Sequence, residues 1–369
     1  MTANPLVLVD GDTVGRGRTG DESYTVNLLR ELPEAAPELA LACSLRVPAD
    51  LPDDVPAAVR RLQLDVASPY RRIPLAFPKL ARREGAALAH LHYFVSPRLA
   101  CPAVVTVHDI SYARAPELFS RRDRQLLRFV GGSVRRAARV IAVSEFTRGD
   151  VIEQYGLDPA KVVAIPNGVN STFRPLPGAE ARVAERFGIH KPYVLCVGAL
   201  QPRKNVPLAI EAYARLTEGR GTECELVIAG GDRGGRLDVL DAILRTRLTG
   251  RVHLVGHVED AELPALYSAA RALVFPSLYE GFGLPALEAM AAGTPVVASN
   301  TTGLAEAVGD AGLTVDPTSA EERADTLGRL REDADMRATL IARGHERAAL
   351  FTWGRAARAT ADVYREALA

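Results

Sequence analysis

The sequence is short of what several protein classes require. Its four cysteines, Cys43, Cys101, Cys196 and Cys224, are far apart, and each lies in an apolar run. No pair has metal-ligand spacing. The expectation is free, buried thiols in a reducing compartment, not a disulfide framework. No window approaches 18 consecutive apolar residues, so no membrane span is expected. The N-terminus lacks a basic segment and a long apolar core, so it does not read as a signal peptide. These absences make a cytoplasmic enzyme or binding protein the default. Net charge is absent too: 45 Lys+Arg balance 45 Asp+Glu, and nothing global points to nucleic acid or a polyanion. Lysine is scarce, at Lys79, Lys161, Lys191 and Lys204 only. The histidines show no set with metal spacing, so no metal site is expected.

What remains is the composition of a soluble globular protein, with 47% hydrophobic and 24% charged residues. A length of 369 residues suggests two domains. Apolar strand-like runs recur along the chain: Leu6–Val9, Leu39–Leu45, a weak Leu62–Val66, Ala86–Tyr93, Val104–Val107, Val140–Val143 and Val162–Ile165. Helical patterns fill most gaps, including Asp21–Leu32, Arg121–Arg139 and Glu145–Tyr155. Such alternation implies a parallel, doubly wound sheet. A turn-rich stretch, Pro166 to Gly178, then interrupts it. The pattern restarts with strands at Tyr193–Val197, Glu225–Ala229, Val252–Val255, Ala272–Phe275, Pro295–Ala298 and Leu313–Val315. Two Rossmann-like α/β domains facing a cleft are expected. Residues 1–172 with a final helix at 351–369 make the first, and 173–350 the second. Ligands in such sheets sit at the carboxyl ends of the strands.

One stretch concentrates the chemistry. Tyr279-Glu280-Gly281-Phe282-Gly283-Leu284-Pro285 lies between a strand and a helix that runs to Ala292 and stops at Gly293. Pro285 suits a first helical turn and Gly293 the residue past the end. Backbone N–H groups of Gly281, Phe282, Gly283 and Leu284 can face an anion with the helix dipole behind them. Glu280 and Glu288 bracket the turn with carboxylates that suit sugar hydroxyls. Upstream, Gly198-Ala199-Leu200-Gln201-Pro202-Arg203-Lys204-Asn205 puts two cations at a strand end, where a diphosphate would receive them. His108 and Asp109 end the strand Val104–Val107, so His108 is expected to face the cleft and not the core. His90, His92 and Tyr93 end the strand before it.

Gly15-Arg16-Gly17-Arg18-Thr19-Gly20 matches G-x-G-x-x-G, but several residues separate it from Val9, and Arg46 stands where a dinucleotide site wants an acid. An NADP-dependent oxidoreductase stays open on that loop; a flexible loop approaching a ligand is the main reading. Residues 114–139 carry eight arginines against Glu117 and Asp123. That run is read as a solvated face, with an anionic acceptor or peripheral membrane contact as the alternative.

Several segments together resemble the retaining glycosyltransferases of glycosyltransferase family 4. They are Gly198–Asn205, Glu280 to Glu288 with seven residues between, Pro166-Asn167-Gly168-Val169, Val107–Tyr112 and Val143–Thr147, in the family's order along nearly the whole chain. The resemblance implies a GT-B fold, with donor bound mainly by the second domain, acceptor mainly by the first, and the last helix returning to the first. It implies a retaining, metal-independent transfer of a hexose from a nucleotide diphosphate sugar to an acceptor hydroxyl, without a cofactor. Arg203 and Lys204 would hold the diphosphate, Glu288 the ribose and Glu280 the transferred sugar. His108 would stand beside the reacting sugar, Gly15 or Gly17 would approach the phosphate, and main chain at His257 and Val258 would touch the base. His92, Tyr93, Asp109 and Ser144 are acceptor-side candidates, for a saccharide, lipid-linked or small-molecule acceptor. The family often begins its first turn Gly-Arg-Leu; here Gly198-Ala199-Leu200 leaves that charge to Arg203. Pro-Arg-Lys-Asn is common among mannosyl- and rhamnosyl-type members, which favours GDP-mannose. A non-catalytic nucleotide-sugar-binding protein of the same fold is a further alternative.

Overall fold

The structure is a computed structural model that describes residues 4–16, 20–218 and 224–369. It comprises two compact units, Met1–Gly168 with Phe351–Ala369, and Val169–Leu350.

The first unit holds a seven-stranded parallel sheet. Its strands are β1 (Leu6–Asp10), β2 (Ala40–Leu45), β3 (Val59–Gln63), β4 (Leu88–His92), β5 (Ala103–Val107), β6 (Arg139–Ala142) and β7 (Val162–Ala164), in spatial order β3-β2-β1-β4-β5-β6-β7. The inner strands are buried along nearly their whole length, which is why they read as unbroken apolar runs. The second unit repeats the design with six strands: β8 (Tyr193–Val197), β9 (Glu225–Ala229), β10 (Val252–Gly256), β11 (Ala272–Phe275), β12 (Val296–Ser299) and β13 (Leu313–Val315), in order β10-β9-β8-β11-β12-β13. Both are doubly wound, Rossmann-like sheets, as the alternating pattern implied. Each reverses its winding once, between β1 and β4 and between β8 and β11. Loops leaving neighbouring strands diverge at such a point and open room for a ligand.

The final helix, Trp353–Leu368, packs into the first unit. Trp353, Ala357, Ala361 and Tyr364 join one core with Tyr24, Leu28, Leu29 and Leu32 of the helix Gly20–Ala35. At that break the chain runs close against the start of the final helix. A Cβ on Gly168 would lie 2.1 Å from the Trp353 backbone nitrogen, so the chain there fits only without a side chain. The expected break was 172/173; the units part after Gly168.

Two expected elements differ. The third strand runs Val59–Gln63, not Leu62–Val66. It is an edge strand, where Arg60 and Arg61 are tolerated, and Arg61 Nη1 donates to the Leu51 carbonyl at 2.8 Å. The expected helix Arg121–Arg139 is two, Arg121–Leu127 and Val130–Arg136, and Arg139 opens β6. Gly131 and Gly132 weaken helix propensity there, and the extended ψ of Ala137 ends it. Within this arginine-rich stretch Arg114 pairs with Asp150 and Glu153, and Arg135 donates to the Tyr155 carbonyl, while Arg121, Arg124, Arg128 and Phe129 are exposed. Part of its charge is structural.

None of the described helices is long and apolar enough to cross a membrane. None of the four cysteines is in a disulfide; Cys43 and Cys196 are buried, and Cys101 and Cys224 half-buried.

Candidate functional site

In the second unit the loops after β8 and β11, on either side of the winding reversal, are tied together. The Leu278 N–H donates to the Arg203 carbonyl at 2.8 Å. Arg203 sits in a one-turn 3-10 helix, Pro202–Lys204, whose proline presets the first position. Its Nη1 donates to the Tyr279 carbonyl at 2.9 Å and to Glu280 Oε2 at 3.0 Å. Lys204 Nζ donates to the other Glu280 oxygen and stands 5.1 Å from the Phe275 ring centre. The expected diphosphate cations and the expected sugar carboxylate are thus one cluster of two positive charges and one negative.

Glu280 is buried, and burial alone would push its carboxyl up. Lys204 and then Arg203 overcome that and hold it at about 2. Glu280 therefore stays ionised at any ordinary pH, held between the two cations. Glu280 is also fixed through its backbone: its N–H donates to Thr302 Oγ1 and its carbonyl accepts from Gly303, both at 3.0 Å.

Gly283, at φ 119, is the N-cap of the helix Leu284–Ala291, with Pro285 in its first turn. The sequence places Gly281 and Phe282 just before that cap, with the positive end of the helix dipole directly behind them. Phe282 itself is buried. One turn into the helix, half-buried Glu288 accepts from the Tyr267 hydroxyl at 2.9 Å. Burial pushes its carboxyl up to about 7, against the pull of Tyr267. At the end of β10, His257 is exposed and Val258 buried, after Gly256 at φ 73.

In the first unit, the end of β4 and the end of β5 place two imidazoles side by side. His92 Nδ1 and His108 Nε2 are 2.9 Å apart, with the rings stacked at 5.2 Å between centres. The Tyr24 ring meets both edge-on, at 5.6 and 5.0 Å. His108 is only 9% exposed, so it does not simply face solvent as its place at a strand end suggested. Burial pushes it down to about 4, which keeps it neutral. Tyr93 takes a left-handed φ of 59°, held by its N–H to the Thr106 carbonyl at 3.1 Å. His90, expected beside them, is instead a core histidine between the Tyr364 hydroxyl at 2.6 Å and Thr106 at 2.7 Å.

Other candidates have local duties. Ser144 is fully buried and caps the helix Glu145–Tyr155 by accepting from the Thr147 N–H at 2.9 Å. Asp109 Oδ1 accepts from the backbone and hydroxyl of Ser111, closing a turn. Gly15, at φ 79, donates its N–H to Glu22 at 2.8 Å, and a Cβ there would lie 2.2 Å from Asp50. Gly17 lies outside the described residues. Arg46, the would-be 2′-phosphate ligand, donates to Asp12 at 3.0 Å and to the Ala67 carbonyl at 2.9 Å. These contacts lend the oxidoreductase alternative no support. Among the described residues, no group of three or more His, Cys, Asp or Glu is placed to hold a metal ion.

Sequence reasoning missed Tyr267, Thr302 and Thr25. A signal existed for Thr302: Thr301-Thr302-Gly303 follows β12, next to β11, at the same end of the sheet. Thr302 has φ 60, and of the four described non-glycine residues with positive φ, Tyr93, Asn205 and Thr302 adjoin candidate residues at strand ends. Strain of that kind costs about 1–3 kcal/mol and collects at functional sites.

Residues 179–347 match the family model for glycosyl transferases group 1, and residues 18–173 that for glycosyltransferase family 4. The chain is 35% identical over 267 residues to O-antigen chain mannosyltransferase B of Escherichia coli, covering 71% of this chain and 70% of that protein. It is 34% identical over 309 residues to the D-inositol 3-phosphate glycosyltransferase of Salinispora arenicola, covering 76% and 69%. Sucrose-phosphate synthase from Thermosynechococcus elongatus superposes with a TM-score of 0.79 at 25% identity over 98% of each chain. Paired Rossmann-like sheets, a basic turn tied to Glu280 and relatives of this kind converge on one assignment: the chain belongs to the group 1, family 4 glycosyltransferases and has their GT-B fold.

Proposed function

We propose that this glycosyltransferase moves a hexose from a nucleotide diphosphate sugar to an acceptor hydroxyl, with retention at the anomeric carbon and without a metal ion. The observation that carries the reading is the Arg203–Lys204–Glu280 cluster beside the positive end of the helix Leu284–Ala291. As the bond from the anomeric carbon to the diphosphate oxygen breaks, charge grows on the leaving group. Two fixed cations and a helix end stabilise that charge without reorganising. The acceptor oxygen bonds to the anomeric carbon on the same face, and its proton passes to the leaving phosphate oxygen.

In this reading Glu288 accepts from the ribose hydroxyls, the backbone of Gly281–Leu284 and of Gly15 or Gly17 approaches phosphate and sugar, and main chain at His257 and Val258 meets the base. Glu280 contacts the transferred sugar, and His108 serves a sugar hydroxyl. His92, Tyr93 and Asp109 are assigned to the acceptor side. GDP-mannose is the proposed donor, supported by the Pro202–Asn205 sequence and by the mannosyltransferase among the relatives. The names of the relatives support a saccharide or polyol-phosphate acceptor. Cysteines outside any disulfide support a cytoplasmic site of action. The test is thermal shift with GDP-, UDP- and dTDP-sugars, since a ligand bound only by the native state raises Tm. GDP-mannose should give the largest rise; no rise with any nucleotide sugar would overturn the reading.

Glu288 supplies a pH prediction. A carboxylate accepts from ribose hydroxyls best when ionised, so donor affinity should rise with pH through about 7. Stability should move oppositely. Between the ordinary 4.5 and about 7 the native state holds a proton that the unfolded chain has released, so stability falls as pH rises across that window. Glu288→Gln should flatten both slopes. A donor Kd with the same pH dependence in Glu288→Gln as in the wild type would refute the assignment.

A further inference from the structure

Hydrogen-bond accounting fixes where the protons of His92 and His108 sit. Thr25, fully buried on the helix Gly20–Ala35, donates its hydroxyl proton to the Asp21 carbonyl at 2.9 Å. Having one proton only, that oxygen can meet His92 Nε2, 3.0 Å away, only as an acceptor. His92 Nε2 therefore carries hydrogen. His92 is neutral, pushed down to about 4 by burial and then by His108, so its Nδ1 holds a lone pair. Across 2.9 Å, His108 Nε2 must be the donor. A second observation agrees: Asp21 Oδ1 lies 3.7 Å from His108 Nε2, where a negative charge favours N–H over a lone pair. Asp109 sits beside the same ring, and Asp10 and Asp12 add negative field at His92. Neutral His108 has no second proton, so its Nδ1 is a lone pair, and no described group of the protein bonds it. The side chain is buried to nine-tenths, with that one polar atom unused.

We propose that Thr25 and His92 are positioning residues that hold His108 as the Nε2–H tautomer, so that Nδ1 accepts a hydrogen bond from a hydroxyl of the saccharide substrate. The substrate part rests on the glycosyl-transfer reading above; the tautomer does not. The consequence is selectivity by polarity: a group that can donate is accepted, and an ether, fluorine or carbonyl at the same position is rejected.

The experiment is long-range nitrogen–proton NMR of the full chain labelled with 15N-histidine near neutral pH, with His92→Asn and His108→Asn used only to assign signals. Both rings should show protonated Nε2 and unprotonated Nδ1. Thr25→Val removes the oxygen that receives the His92 N–H, so His92 should turn its donor to His108 and drive proton onto His108 Nδ1. Thr25→Ser should restore the wild-type pattern. A protonated Nδ1 on wild-type His108, or an unchanged pattern in Thr25→Val, overturns the proposal. If Thr25→Val does not fold, the wild-type and Thr25→Ser spectra still decide. In transfer assays Thr25→Val should lower kcat/KM about tenfold, the scale of one hydrogen bond, with the nucleotide diphosphate Kd unchanged. Wild-type kcat/KM with altered tautomers would overturn the substrate contact. The expected tautomers in a protein that transfers no sugar would overturn the transferase reading alone.

Discussion

Replacing Arg203 and Lys204 together by alanine is expected to lower kcat/KM for sugar transfer by roughly 10³-fold or more and to abolish measurable binding of the nucleotide diphosphate. Removing a single fixed donor to a developing oxyanion costs about 10²–10³ in rate, and here two charged donors go at once. The double variant carries a second penalty. Glu280 is buried, and its ionisation depends on these two cations. Stranding a buried charge costs about 3–5 kcal/mol, so the protein loses stability as well as function. The triple variant with Glu280→Gln separates the two effects. It removes the stranded charge, so Tm should recover while donor binding stays lost. Calorimetric titration of the nucleoside diphosphate decides the matter: an Arg203→Ala, Lys204→Ala protein that binds like the wild type would end the site assignment. The same cluster sets an acid limit. Because the Glu280 carboxyl lies below its ordinary 4.5, at about 2, its contribution to stability is complete above 4.5 and is lost as pH falls towards 2.

Gly303→Ala should be nearly as damaging, from a residue that carries no chemistry. A Cβ at Gly303 would stand 2.1 Å from the Gly281 carbonyl oxygen and 2.5 Å from its carbon. Both are backbone atoms of the candidate sugar-binding turn, so no rotamer change relieves the overlap. The turn must move by about 1 Å, and a displacement of that size costs on the order of 10²-fold in rate. Overpacking adds about 1–3 kcal/mol of lost stability. Gly149→Ala is the control. Gly149 is exposed inside the helix Glu145–Tyr155 with nothing within 4 Å of a built Cβ, and alanine there should stabilise by about 0.5–1 kcal/mol. Equal kcat/KM in Gly303→Ala and Gly149→Ala would show that the turn does not depend on this close approach.

Much of this fold could be read from sequence because buried parallel strands write themselves as unbroken apolar runs. Val104–Val107 and Ala272–Phe275 needed no further signal. Val59–Gln63 was misplaced because an edge strand bears Arg60 and Arg61 and lacks such a run. The residues of the candidate site were visible where chemistry and chain punctuation coincide, as at Arg203-Lys204-Asn205 and Glu280 to Pro285. That Glu280 would hold both cations was not visible, since no spacing rule links residues 76 positions apart. Thr25 and Tyr267 stayed hidden for a related reason. Each lies on the inner face of a helix and looks like packing until its hydroxyl is seen to meet His92 or Glu288. Ser144 has a duty that sequence does show, since a serine before a helical run is first of all a cap.

The helix Trp353–Leu368 belongs to the first unit but is made after the second. As the chain leaves the ribosome, the core around Tyr24, Leu28, Leu29 and Leu32 still lacks Trp353, Ala356, Ala357, Ala361, Val363 and Tyr364. Those arrive only after Val169–Leu350 has been synthesised, which at roughly 5–20 residues per second takes on the order of ten seconds or more. Through that interval the nascent first unit exposes the apolar groove that the helix will fill. The unfilled groove is the surface a nascent-chain chaperone would have to shield.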